Sequence, residues 1–274
     1  MTTRTVLTTG ANSGIGLATT IELARRGLHS IGSVRSEAKA EVVHAAAAEA
    51  GVEVDTVLLD VTDAERCAAV LDGLELYGLV NNAGYPVTGT IEDVGDDEAR
   101  ALLETMVVAP MRLARLALPG MRAGGGGRIV NVSSIAGRVS SPLGGWYTGA
   151  KHALEALTDA LRVEVASDGV AVSLVEPGGF RTGIWDDFRS DIDRRTADGS
   201  DKGAAYERFM QVQQLWGPVM GDPDRCAQVI AGIVTGRIVR ARYLVGVDAY
   251  AMDVADKLTP TFVKDRFFRT VLGL

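Results

Sequence analysis

Tyr147 and Lys151 lie four residues apart in a stretch of helical period, Tyr147–Ala166, so both side chains leave one helical face. That proximity has a chemical use. A tyrosine hydroxyl titrates near ~10, too high to exchange protons readily at neutral pH, and a neighbouring ammonium favours the phenolate and lowers that value. Such a phenol can give a proton to an oxygen gaining charge, or take one from an alcohol. Ser134, thirteen residues before Tyr147 and just past the apolar run Arg128–Val132, can hydrogen-bond a carbonyl oxygen and stabilise charge on it. Ser133 is its weaker neighbour. A Tyr/Lys pair at this spacing is also a common surface contact, so context has to decide. His152 lies one residue round the helix from Lys151 and is expected to be structural. No G-x-S-x-G nucleophile elbow accompanies these residues, which leaves hydrolysis unsupported.

The context begins at the N-terminus. Gly10, Gly14 and Gly16 fall between a strand at Thr5–Thr9 and a helix at Ile15–Arg26 closed by Gly27. Glycines permit a tight turn and close approach of backbone to a pyrophosphate, while the helix start offers free N–H groups. Gly10, Ser13, Gly14, Ile15 and Gly16 are therefore the candidate phosphate contacts. The spacing G-x-x-x-G-x-G lacks the Gly-Lys-Ser/Thr of an ATP loop. Selection of NAD needs an acid at the end of the second strand, yet His29–Val34 is followed by Arg35-Ser36, with no carboxylate before Glu37. A guanidinium there can pair with a 2′-phosphate and stack on adenine. NADP(H) is the expected cofactor, NAD(H) the open alternative, and a solvated surface arginine the bland one.

The elements that must position these groups alternate between short β-branched runs and helical segments, which argues for an α/β parallel sheet. Further strands are expected at Glu53–Leu58, Gly78–Asn81, Val170–Val175 and Tyr243–Val247, and helices at Glu37–Ala50, Ala64–Leu74 and Glu98–Leu118. Residues 183–220 break this rhythm and read as an insertion over a ligand site. Residues 248–274 read as a C-terminal extension, with Phe262–Leu274 a docked amphipathic helix. One domain over 1–274 is expected. A net charge of -7 disfavours nucleic acid and anionic membrane as partners. No run is apolar enough for a membrane span, no zinc-spaced cluster occurs, and the chain begins without a leader pattern. Cys67 and Cys226 are expected to be free buried thiols, in keeping with a cytoplasmic protein.

Taken together, Thr9-Gly10-x-x-x-Gly14-x-Gly16, Asp60-Val61, Asn81-Asn82-Ala83-Gly84, Asn131-Val132-Ser133-Ser134, Tyr147-x-x-x-Lys151 and Pro177-Gly178 resemble the marks of the short-chain dehydrogenase/reductase family, in its order, over residues 4–182. The resemblance implies a Rossmann-like doubly wound parallel sheet of about seven strands, order 3-2-1-4-5-6-7, with helices on both faces. It implies that Asp60, with Val61, meets the adenine and that Asn82, Ala83 and Gly84 line the adenosine side. Tyr147 and Lys151 then reach the nicotinamide ribose, and Pro177, Gly178 and Thr182 hold the nicotinamide end. Its chemistry is hydride transfer between an NADP(H) nicotinamide and an apolar secondary alcohol or ketone (or aldehyde). The substrate would lie under Ile184, Trp185, Phe188, Tyr206, Phe209 and Trp216, facing a wall at Pro142–Gly145. Helices Glu98–Leu118 and Tyr147–Ala166 are family dimer surfaces, so a homodimer or homotetramer is implied.

One position departs from the family. Met106 stands where an asparagine usually kinks the long helix and holds a water on the proton path from the lysine. A thioether is a weak acceptor and no donor. A backbone carbonyl must hold the water, or protons must leave Lys151 another way, and a slow enzyme is expected. The rival reading is an NADPH-binding regulator without turnover. A sugar-nucleotide epimerase is weaker, because too little chain follows Thr182 for its substrate domain.

Overall fold

A computed structural model describes residues 3–216 and 220–274, the side chains of 213–216 excepted. Trp216, expected in the substrate cover, lies outside the described side chains. Seven parallel strands form one sheet in the order β3-β2-β1-β4-β5-β6-β7: β1 Thr5–Thr9, β2 His29–Val34, β3 Asp55–Leu58, β4 Leu76–Asn81, β5 Gly127–Val132, β6 Val170–Pro177 and β7 Arg242–Val245. This is the Rossmann-like arrangement that the resemblance implied.

Each central strand is apolar on both faces because helices cover both. Successive residues point to opposite sides, so Leu7, Leu79, Ile129 and Val172 enter one core and Val6, Val80, Val130 and Val175 the other. Helices α1 Gly14–Arg25 and α2 Glu37–Glu49 follow β1 and β2, and α3 Ala64–Asp72 follows β3. Asp63 caps α3 by accepting from Arg66 N, as an N-cap aspartate does.

The long helix expected over Glu98–Leu118 is broken. It runs as α4 Asp96–Leu103, a π segment Glu104–Val108 and α5 Ala109–Ala123. Pro110 has no N–H to give the carbonyl of Met106, the residue four before it. The ladder widens instead: Ala109 N bonds Glu104 O, and Asn81 Nδ2 donates to Pro110 O at 3.2 Å. The kink is therefore kept without an asparagine at 106.

Helix α6 Gly145–Glu164 carries Tyr147 and Lys151. The expected insertion consists of α7 Ile184–Ala197 and α8 Gly203–Trp216. Helix α9 Pro223–Thr235 follows, begun by the Asp222 cap and Pro223, and fills the core beside α1. Strand β7 stops at Val245, short of the expected Val247, because Gly246 turns the chain at φ 111 into α10 Val247–Leu258. Helix α11 Thr261–Leu272 docks on α8 through Leu272, Phe268 and Val271. Among the described residues, no helix is long and apolar enough to cross a membrane.

Candidate active site

The glycine turn is fixed by contacts inside the protein. A β-carbon on Gly16 would run into Gly10 O and the Asn82 amide, and one on Gly10, at φ +66, would lie 3.0 Å from Ala83 Cα. Asn82 Nδ2 donates to Thr9 O at 2.9 Å, and the N–H groups of Asn82 and Ala83 both donate to Thr9 Oγ1 at 3.0 Å. Gly14, at φ +51, would bring a β-carbon 2.9 Å from Thr182 Cγ2, so all three glycines are constrained before any ligand is considered. The turn leaves α1 open at its start. Ser13 is the N-cap residue but its hydroxyl accepts no backbone N–H, and the first helical bond is Leu17 N to Ser13 O. The N–H groups of Gly14, Ile15 and Gly16 have no partner within the helix, and they carry its positive dipole end. Such a helix start fits a pyrophosphate.

On the adenosine side, Arg35 is exposed at the end of β2 and makes no ion pair among the described residues. Asp60 accepts from Thr62 N at 2.9 Å and Thr62 Oγ1 at 2.7 Å through one oxygen, leaving the other free. Burial pushes its carboxyl up, but the two Thr62 bonds and the Arg35 charge hold it below the ordinary value. Val61 turns its side chain into the core, and its carbonyl accepts from Arg112 Nη1 at 3.0 Å. Gly84 is exposed beside Met106. A free carboxylate oxygen, an unpaired guanidinium and the helix start together fit a phosphorylated adenine dinucleotide.

At the other end, β5 delivers Ser134 and α6 delivers Tyr147 and Lys151. Ser134 begins the 3-10 turn Ile135–Gly137; its Oγ accepts from Ala136 N at 3.1 Å and donates to Pro177 O at 3.4 Å, and it lies near enough to Tyr147 to pull the phenol down. Ser133 points away from the cleft, buried toward Gly137. Lys151 is buried, donates to Val132 O at 2.9 Å, and holds its Nζ 5.9 Å from the Tyr147 ring centroid. The expected depression of the phenol is not produced by these groups. Burial pushes Tyr147 up to about 12 against the pull of Ser134, and burial lowers Lys151 to about 8 while Glu155 opposes. The lysine is too far off and too well bonded to Val132 to draw a proton from the phenol, so the protein's own field keeps Tyr147 protonated. His152 bonds Thr148 O within its own helix at 2.8 Å, the structural role expected of it.

Met106 packs in one apolar cluster with Val87, Leu102 and Ala150, against Tyr85, Trp146 and Tyr147. It contacts the surroundings of Tyr147 by dispersion alone. Sequence reasoning missed a buried polar group behind Lys151: Glu155 one turn on, Glu176 on β6, and the arginines Arg138 and Arg242 that meet them. No motif signals it, because its members come from distant parts of the chain.

Beside the glycine turn lies a cleft of about 750 Å³; Gly14, Leu17, Thr182, Trp185, Phe188 and Met210 line it together with the charged Arg181, Asp186, Arg189 and Asp222, and Tyr147 meets its wall only through Phe188. Phe188 lies edge-on to Tyr147, with centroids 6.3 Å apart, and stacks on Trp185 at 5.5 Å. Trp185 Nε1 donates to Phe180 O at 2.7 Å, which fixes that stack. Tyr206, expected in the cover, is fully buried and donates to Asp93 Oδ2 at 2.6 Å, so it anchors α8 and does not line the cleft. The facing wall is also unusual. Leu143 is held at φ 64, a left-handed conformation disfavoured for a branched side chain, and its carbonyl accepts from Gly89 N at 2.8 Å.

The family model for short chain dehydrogenases matches residues 4–193. The chain belongs to that family. It is an NAD(P)-dependent oxidoreductase of the short-chain dehydrogenase/reductase type. It is 34% identical over 253 residues to the uncharacterized oxidoreductase YusZ of Bacillus subtilis, covering 90% of each chain. It is 30% identical to mouse (Mus musculus) retinol dehydrogenase 7, with 95% of this chain and 86% of that one covered. Among solved structures, a short-chain dehydrogenase from Streptomyces avermitilis matches with TM-score 0.79 and 30% identity over 98% of this chain and 96% of that one. A metagenomic short-chain oxidoreductase in complex with NADP matches with TM-score 0.70 and 26% identity over 88% and 96%.

Proposed function

We propose that this short-chain dehydrogenase/reductase uses NADPH to reduce the carbonyl of an apolar ketone or aldehyde, the reverse reaction oxidising the secondary alcohol, with Tyr147 as general acid and base. The observation that carries it is the phenol itself: protonated by its buried surroundings, on one helical face with Lys151, and edge-on to Phe188 of the aromatic cover. NADPH supplies hydride at its nicotinamide, and its oxidised form brings a positive charge beside the phenol. The chain's groups do the rest. Ser134 orients the carbonyl oxygen, and Tyr147 places a proton where negative charge develops on it. Lys151, charged below about pH 8, holds the ribose hydroxyls. The N–H groups of Gly14, Ile15 and Gly16 take the pyrophosphate, with Gly10 and Ser13 shaping the turn. Asp60 and Val61 meet the adenine, Asn82–Gly84 form its wall, and Pro177, Gly178 and Thr182 fix the nicotinamide end.

Arg35 supports NADP(H) over NAD(H), since a free guanidinium suits a 2′-phosphate, and the NADP-bound neighbour agrees. Trp185, Phe188 and Met210 support an apolar substrate, as does a relative named for retinol. Exposed Val108, Leu157 and Val163 on the two expected dimer helices support a homo-oligomer. Two buried free thiols, Cys67 and Cys226, suit a reducing cytoplasm.

The test is NADPH oxidation with a panel of ketones and aldehydes graded from polar to apolar, together with the binding of NADPH and NADH. Turnover that rises with apolar size supports the reading. Tight NADPH binding with no turnover for any compound would overturn it in favour of a regulator.

A further inference from the structure

We propose that Glu155 and Glu176 form a proton-sharing carboxyl pair, which keeps one negative charge a helical turn behind Lys151 and so holds its ammonium charged across neutral pH. The inference rests on the reading of Lys151 given above and assigns positioning residues behind it.

Lys151 and Glu155 occupy i and i+4 on α6, and each is only 6% exposed. Glu176 leaves β6 with no exposure at all, directly before the Pro177-Gly178 loop. Arg242 Nε from β7 lies 3.1 Å from Glu155 Oε2 and 3.3 Å from Glu176 Oε1, so one guanidinium nitrogen joins the two carboxyls. Arg138, after the 3-10 turn, adds a bond to Glu176 Oε1 at 2.9 Å.

An ion-pair network built only for support would use every oxygen. Here Glu155 Oε1 and Glu176 Oε2 are both buried and unpartnered, and so is Ser133 Oγ. Two of them, Ser133 Oγ and Glu155 Oε1, converge near Gly137, where a β-carbon would lie 2.7 Å from the first and 3.2 Å from the second, while Glu176 is tied to Glu155 through the shared Arg242 Nε. Two buried carboxylates meeting through acceptor oxygens repel. One proton between them turns an orphan acceptor into a donor and leaves a single charge.

The surrounding charges fit that state. Facing the pair are Lys151 and Asp159 from α6, Arg138 from the turn and Arg242 from β7. Beyond Arg138 stands Asp253 from α10. Asp159 and Asp253 have outer partners of their own, Arg162 and Lys257. Burial pushes the Glu176 carboxyl up against the Arg138 bond, and the Glu155 charge pushes it further. In the other direction, burial lowers Lys151 and Glu155 is the charge that pulls it back.

The experiment is carbon NMR titration of the full chain, labelled in turn at glutamate carboxyl and lysine Cε carbons, on the wild type, Glu155→Gln and Glu176→Gln; only five lysines crowd the second spectrum. In the wild type one carboxyl of the pair should ionise well below neutrality and the other near it. In Glu155→Gln the Lys151 midpoint should fall by about one pH unit, while Glu176→Gln, which mimics the neutral acid, should leave it in place. The alkaline fall of NADPH oxidation should shift downward in Glu155→Gln to match. Both carboxyls ionising together in the ordinary carboxylate range would overturn the proposal, and the wild type alone decides this if a variant fails to fold. An unmoved Lys151 midpoint in folded Glu155→Gln would overturn it too. The resonances need no turnover, so an inactive protein that titrates as expected would fault the redox reading and spare the pair.

Discussion

The glycine turn and the aromatic cover lie on the same cleft but are held by different forces. Around Gly10–Gly16 the fixing contacts are short, largely main-chain, and satisfied: Thr9 Oγ1 receives two N–H groups and Asn82 closes onto Thr9 O and Gly10 O. The cover over Tyr147 is held by charges brought from afar. Buried Arg195 on α7 donates to Thr88 O, Asp93 O and Glu98 Oε1, and Arg194 meets the same glutamate. Asp93 in turn takes the hydroxyls of Ser200 and Tyr206, and its carboxyl lies below the ordinary value, burial pushing up and these bonds more than offsetting it. The difference predicts that the turn and the cover respond separately to mutation. One is a local geometric requirement; the other is a tertiary clamp that can loosen without disturbing the turn.

The most severe way to probe that separation removes the chemistry and leaves both regions intact. Tyr147→Phe should lower kcat by roughly 10²–10⁴ with NADPH affinity unchanged, measured by steady-state kinetics and a binding titration. The wild-type pH profile belongs to the same measurement. Burial lowers Lys151 to about 8, so its charged form predominates below that value, and ketone reduction should decline as pH rises through it. Next in size, Arg35→Ala should weaken NADPH roughly 10–100-fold, the loss of one or two charge-assisted bonds, and leave NADH and the ketone KM untouched. Equal losses for both cofactors would place Arg35 outside the 2′-phosphate site.

Arg195→Met attacks the clamp instead. It should cost about 1–3 kcal/mol in chemical unfolding, because buried acceptors lose their donor while Arg194 still holds Glu98. The ketone KM should rise several-fold and the NADPH Kd stay fixed; a parallel loss of NADPH affinity would join the two regions into one mechanical unit. The smallest expected effect is at Met106. The π segment is kept by Pro110 and Asn81 whatever stands at 106, so Met106→Asn should preserve the kink and raise kcat by only a few-fold, through side-chain help to the proton path. No change in rate or pH profile would remove asparagine's part in a relay here.

Much of this architecture could be seen in the chain before its coordinates. The strand order follows from the motif resemblance, and the helices from period and caps. Asp222-Pro223 is a cap-and-proline signal for α9, a helix that the alternation of strands and helices does not place by itself. The break at Pro110 was hidden because a proline in a first turn is ordinary, whereas here that turn continues a helix. Tyr206 counted as a cover residue on composition; its burial and bond to Asp93 reveal an anchor. Burial, which no spacing records, outweighs a lysine that is bonded elsewhere, so the protein's own groups raise the phenol's pKa.

By itself the sequence determined what is local. A helix brings Tyr147 within one turn of Lys151, a strand-to-helix junction needs Gly10 and Gly16, and β-branched runs make buried parallel strands. Folding alone decided what depends on groups far apart in the chain: which carboxyls face each other behind Lys151, which aromatic rings line the cleft, and which arginine clamps them. The physical reason is range. Backbone geometry and helical period act over a few residues, while desolvation and charge pairing depend on neighbours that only the packed chain supplies.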